Sequence, residues 1–366
     1  MKSLDNLCYN YSIIMNAINW RTLSMKRISL AILLLAVVIL LCGCSAESDE
    51  PSGSDYAPPE NLRLTIYTSH KEEVFRPIIR EFEERTGIWV DVVTGGSSEL
   101  LERIQREQAA PAADVMFGGG VESLESYRDC FTPYVSAESG KILEQFQAED
   151  ACWTPFSALP VVLIYNTKLI SPAQLTGWAD LSRPEFQGRI AFADPEISGS
   201  SFTALMTCIW AEGNDRTATL TRLAQALDGR QLDSSGAVLT AVADGTCLVG
   251  ITLEETALKR IAAGDDIAVV YPSEGTSCVP DGCALVKNAP HPDNARVFLD
   301  FIVSYDVQQL LEDGFYRRSV RSDVTPGSSL MPLSQIRRVN YDVAWASENR
   351  DTILSDWAFL QKGAVE

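Results

Sequence analysis

Ser198-Gly199-Ser200-Ser201 is the stretch of this sequence best equipped to bind something. Asp194-Pro195 precedes it and ends a short strand at Arg189–Ala193, because proline has no N–H for a β ladder. After it, Phe202 to Trp210 is apolar and reads as a buried helix. Serine hydroxyls at a helix start cap free N–H groups. The remaining N–H groups, with the helix dipole behind them, make a seat for an anion. A plain N-cap is the other reading of the same residues. Gly95-Gly96-Ser97-Ser98 opens a second helix in the same manner, which makes Ser97 and Ser98 candidates for the same anion. Asp233-Ser234-Ser235 precedes a third. Ser69 and His70 end a strand and offer further hydrogen bonds, and Glu254 has acceptors for hydroxyl or ammonium groups. Arg317 and Arg318 read as surface or hinge partners rather than direct contacts.

Composition narrows what such a seat serves. A chain of 366 residues is long for one core and divides by default into two lobes. Its 46% hydrophobic and 22% charged residues fit a folded soluble protein. The formal net charge of −19 and the lack of a basic patch argue against nucleic acid. An anionic ligand must then be held by local donors against the overall field. With only His70 and His291, a His-rich metal site is excluded, and no Cys-x-x-Cys supplies a zinc site. Neither a metal nor a cofactor is expected. Without a Gly-x-Ser-x-Gly elbow or a usable His/Asp nucleophile set, an enzyme such as an exported phosphatase is a secondary reading.

The amino terminus is a targeting segment. Lys26-Arg27 precede the apolar run Ile28–Leu41, too short for a membrane span of about 20 residues but suited to a secretory signal. Leu41-Cys42-Gly43-Cys44 resembles the bacterial lipobox, which implies cleavage before Cys44 and a lipid on that residue. Met25 is an alternative start, which would leave residues 1–24 untranslated. The polar stretch from Ser45 to Glu60 cannot bury enough apolar surface to fold and reads as a tether. Behind Cys44 lie Cys130, Cys152, Cys208, Cys247, Cys278 and Cys283. In an exported chain these suggest disulfides, with Cys278–Cys283 around a turn-forming Pro-Asp-Gly and Cys130–Cys152 as the leading pairs, or else free buried thiols.

The folded body alternates strand and helix. Leu62–Thr68 has a strand period, Glu72–Thr86 a helical one, Ile88–Val93 is a strand, Glu99 to Glu107 a helix, and Ala113–Phe117 a strand. That order predicts a parallel sheet with helices on its faces and ligands beyond the strands' carboxyl ends. Leu159–Asn166 is a near-continuous apolar strand and the expected crossing into a second lobe. Helices at Arg216–Leu227 and Ser235–Asp244 and strands at Cys247–Leu253 and Ile267–Tyr271 follow, the last being the expected return crossing. Pro292–Leu311 reads as one long amphipathic helix, and Ser334–Leu360 as helical.

Tyr67-Thr68-Ser69-His70-Lys71-Glu72, Phe82 to Ile88, Ala113-Asp114-Val115, Trp178-Ala179-Asp180-Leu181, Phe186 to Ile190 and Pro280-Asp281-Gly282 together resemble ferric-binding-protein-like solute-binding proteins of ABC importers. The resemblance implies an α/β fold: a two-lobe periplasmic-binding-protein clamshell, each lobe a mainly parallel sheet flanked by helices, with two interlobe crossings. Expected divisions are a signal at 1–43, a lipidated tether at 44–61, lobe 1 at 62–160 and 271–325, lobe 2 at 161–270, and a C-terminal helical segment at 326–366. Ferric binders of this kind use a His and a Glu from the first lobe and adjacent tyrosines from the second. His70 matches the His, but Phe117-Gly118-Gly119-Gly120 stands at the Glu position and Leu253-Glu254-Glu255 at the tyrosine pair. The pattern is closer to the branches that bind phosphorylated sugars or phosphonates. The chain is therefore read as an extracytoplasmic, lipid-anchored, monomeric receptor that passes a small anionic solute to ABC permease subunits. Its expected contacts are Ser69, His70, Ser97, Ser98, Ser198, Ser200, Ser201, Asp233, Ser235 and Glu254. A ferric-iron receptor using a synergistic anion is the alternative.

Overall fold

The computed structural model describes residues 57–327 and 329–363. The signal and Cys44 lie outside these, and among the described residues no helix is long and apolar enough to cross a membrane.

Strand β1 (Arg63–Thr68) buries Leu64 and Ile66 on alternate positions, as its period demands. Helix α1 (Glu72–Thr86) lays Val74, Phe75, Ile78, Ile79 and Phe82 on that sheet and stops at Gly87, whose positive φ of 71° suits a left-handed cap. Strand β2 (Trp89–Thr94) and strand β3 (Val115–Gly120) both run parallel to β1, with helix α2 (Ser97–Arg106) between them in sequence. A short helix α3 (Val121–Ser126) follows β3 directly.

The long strand β4 (Thr154–Asn166) is buried along its whole length. Its Ala158 belongs to the first hydrophobic core and its Val161 to the second, so the chain passes between lobes at Leu159-Pro160. The second core is built by a two-residue strand β5 (Ile190–Ala191), helices α4 (Gly199–Ala211), α5 (Arg216–Leu227) and α6 (Ser235–Ala243), and strand β6 (Val249–Leu253). Helix α7 (Glu254–Ala262) and strand β7 (Ile267–Val270) close it. Strand β8 (Cys278–Leu285) then returns to the first lobe, pairing with both β3 and the first half of β4. Strand order is β2-β1-β3-β8-β4-β6-β5, with β7 also on β4. The pairs β1–β2, β1–β3 and β5–β6 are parallel, whereas β4 and β8, the crossing strands, pair antiparallel. The sheets are accordingly mixed rather than mainly parallel.

The expected 292–311 helix is two. Helix α8 (Pro292–Ile302) ends at Val303, and Ser304 starts helix α9 (Tyr305–Phe315). Helix α10 (Val343–Glu348) packs on α3, and helix α11 (Arg350–Gly363) on α5, so the C-terminal segment touches both lobes.

The cysteine pairings do not form. All six thiols from Cys130 to Cys283 are free. Pro280-Asp281-Gly282 is not a turn but the middle of β8, with Ala158 and Pro155 of β4 opposite Pro280 and Gly282. In an extended strand Cys278 and Cys283 stand on opposite faces, roughly 16 Å apart. Cys152 instead faces the Glu125 carboxylate at 3.3 Å, and Gln108 donates to Cys130 at 3.0 Å.

Candidate functional site

Between the lobes lies a cavity of about 320 Å³. Its walls are the carboxyl ends of the strands and the starts of the helices that follow them, which is where an open α/β sheet leaves room for a ligand. The residues just before α1, α2, α4, α6 and α7 (Lys71, Gly96, Ser198, Ser234 and Leu253) all line it. Each such helix presents free N–H groups and the positive end of its dipole. Ser198 caps α4 by accepting from the Ser201 N–H at 3.4 Å, and Ser234 caps α6 from the Ala237 N–H at 3.3 Å. The N–H groups of Gly199 and Ser200 take no protein acceptor among the described residues. They remain available at the cavity wall.

Of the expected contacts, Ser69, His70, Ser97, Ser198, Ser200, Asp233 and Ser235 line the cavity. Ser98, Ser201 and Glu254 do not. Ser201 is 4% exposed and turns its hydroxyl back onto Ser198 Oγ at 3.1 Å. Glu254 is fully buried and accepts two bonds of 2.7 Å from Arg318, with Tyr271 also donating to it. It is part of the wall's internal bracing, and its neighbour Glu255 faces the cavity instead.

The floor of the cavity is a charge network that the sequence did not disclose. Arg317, read as a surface or hinge residue, is buried there. It donates to Asp281 Oδ2 at 2.6 Å, to Ser157 Oγ at 2.9 Å and, across the lobes, to Glu255 Oε1 at 3.4 Å. Lys259 sits 3.0 Å from Glu255 and 3.3 Å from Glu73 of the opposite lobe. Burial alone would raise the Glu255 pKa, but Arg317 and then Lys259 outweigh it and hold the carboxyl below its ordinary range. Burial likewise opposes the Arg317 charge, and Asp281 and Glu255 more than restore it.

His70 is wedged between Phe117 and Phe156, with ring centroids at 4.5 and 5.3 Å. Burial drives its pKa down to about 4, and Asp281, 3.6 Å from Nε2, only partly opposes this. The imidazole is neutral at pH 7. Gly118 makes the wedge possible: its φ is +107°, and a Cβ there would lie 3.0 Å from His70 Nε2 and 2.8 Å from Ser69 Oγ. No tyrosine lines the cavity among the described residues.

A fold with two cores joined by crossing strands, and a cavity walled by helix starts between them, defines a solute-binding clamshell. Residues 64–317 match the family described as bacterial extracellular solute-binding protein, and the chain belongs to that family. It is an extracellular solute-binding protein. Among similar proteins, iron uptake protein A1 of Synechocystis sp. is 26% identical over 81% of this chain and 86% of its own length. A putative 2-aminoethylphosphonate-binding periplasmic protein of Salmonella typhimurium is 24% identical over 67% and 73%. Among solved structures, the periplasmic binding protein AfuA from Actinobacillus pleuropneumoniae, with fructose-6-phosphate bound, superposes with a TM-score of 0.76 at 23% identity. It covers 82% of this chain and 98% of that one. The ferric binding protein from Campylobacter jejuni gives 0.73 at 21% identity, over 81% and 99%.

Proposed function

We propose that this receptor captures a phosphorylated organic solute and delivers it to an ABC permease, without transforming it. The observation that carries the reading is the convergence of helix starts from both lobes on one cavity, with uncommitted N–H groups at Gly199 and Ser200. Lys71 adds positive charge to the same walls, while Lys259 and Arg317 are paired with Glu255, Glu73 and Asp281. The relatives named for iron favour a ferric reading. Against it stands the donor set: among the described residues the cavity has one imidazole and no phenolate, and its buried carboxylates Glu255 and Asp281 already face cations. Mass spectrometry of small molecules released by denaturing freshly purified protein tests the assignment. A phosphate ester or phosphonate at near one per chain is the expected result. Stoichiometric iron with citrate or another small anion would replace it with the ferric reading.

A further inference from the structure

Two consecutive arginines after α9 face two consecutive glutamates at the start of α7. Arg318 grips Glu254 with two bonds of 2.7 Å, away from the cavity. Arg317 meets Glu255 through one longer contact of 3.4 Å, on the cavity floor. Both pairs tie one lobe to the other, but they differ in what they leave over. Arg317 Nη1 is committed to Asp281 and Ser157, whereas Arg317 Nε has no partner. His70 Nε2 has none either. The His70 and Arg317 side chains are 6% and 7% exposed. A buried polar atom without a partner is costly, so each of these can gain a bond from a solute group.

We propose that the solute fills this seam with hydroxyl groups, and that Arg317 is the residue that makes the receptor select hydroxyl-bearing phosphate esters over ammonium-bearing phosphonates. The inference rests on the phosphorylated-solute reading. A hydroxyl accepts and donates at once. It can take the bond from Arg317 Nε and give its own proton to the Glu255 or Asp281 carboxylate beside it. A neutral imidazole at His70 serves a second hydroxyl in either sense. An ammonium has donors only. It leaves Arg317 Nε unpaired and must sit beside the Arg317 and Lys259 cations. The carboxylates around it already face cations: Glu255 faces Arg317 and Lys259, Asp281 faces Arg317, and Glu73 faces Lys259. The acceptor Glu255 Oε2, which takes no hydrogen bond, lies 3.0 Å from the Lys259 ammonium, beside which a second ammonium is repelled. Asp233 is the remaining cavity acid among the described residues, and it is exposed beside the start of α6, on the anion side. The unpartnered atoms are covered as the lobes stand, and the loose 3.4 Å contact is the one that parts to admit a hydroxyl.

Calorimetric titration with fructose 6-phosphate, glucose 6-phosphate, 2-aminoethylphosphonate and inorganic phosphate tests this on the wild type, Arg317→Lys and Arg317→Gln. The wild type should bind a hexose phosphate at least about tenfold more tightly than the phosphonate. Both variants should bring that ratio toward one and change inorganic phosphate affinity much less. Equal wild-type affinities, tighter phosphonate binding, or an unchanged ratio in folded variants overturns the hydroxyl seam and leaves the anion seat standing. So does binding of inorganic phosphate alone. No binding of any of the compounds overturns the seam and the phosphorylated-solute reading together. The wild-type ratio is decisive even if a variant fails to fold.

Discussion

His70 shows at the scale of one residue how burial sets chemistry. Its position at the end of β1 was legible, because a polar pair closing an apolar strand marks a cleft edge. Its protonation state was not, because that depends on Phe117, Phe156 and Asp281, all distant in sequence. Between pH 6.5 and about 4 the unfolded imidazole holds a proton and the folded one does not. Acidification through that window therefore favours unfolding, by about 3 kcal/mol over the full interval. His70→Gln should remove this contribution. Urea melts at pH 7 and pH 4.5 should show the wild type losing more stability than the variant; parallel losses would contradict the account. The same distance in sequence hid Arg317, and it hid that Glu255 rather than the expected Glu254 faces the cavity.

Helices and strands were legible where their signal is local. Arg216–Leu227 and the start of Ser235–Ala243 follow directly from apolar period and Asp or Ser caps. The break at Val303-Ser304 was not, since the apolar stripe runs through it without a glycine or proline. Pro-Asp-Gly misled for a related reason: β8 holds it extended between two neighbouring strands, overriding its turn preference. The start of α4 has a direct test. Gly199 is the first helical residue, where proline is tolerated, and Ser198 before it is already extended. Gly199→Pro deletes one free N–H from the cavity. Phosphate-ester affinity should fall about tenfold or more, at little cost to the melting temperature of the unliganded protein. Unchanged affinity would make the start of α4 a structural cap and nothing else. The start of α7 behaves differently. Glu254→Ala strands a buried Arg318 charge and should cost about 3–5 kcal/mol in urea unfolding. A loss below about 1 kcal/mol would mean that Glu254 is free for another role.

The molecule as a whole is a pair of cores with a polar seam between them, and its class was legible because motifs for both lobes recur in order along the chain. Solute identity was not, because it is decided at the seam by side chains from separate elements. We also propose that Cys44 carries the membrane anchor. Cys44→Ala should move the protein from the membrane fraction to the soluble fraction, and retention after a salt wash would contradict a lipid anchor. The central claim is that an anion seat, not a metal site, holds the solute. Thermal melts with each hexose phosphate, its unphosphorylated sugar and ferric citrate test it most directly. Ligand at about 100 times its dissociation constant adds roughly 2.7 kcal/mol, a rise of roughly 5 °C for a protein of this size. The account predicts that rise for at least one phosphate ester, none for its neutral sugar, and no visible charge-transfer band with ferric citrate. Equal rises for sugar and sugar phosphate, or a strong band at stoichiometric iron, would contradict it.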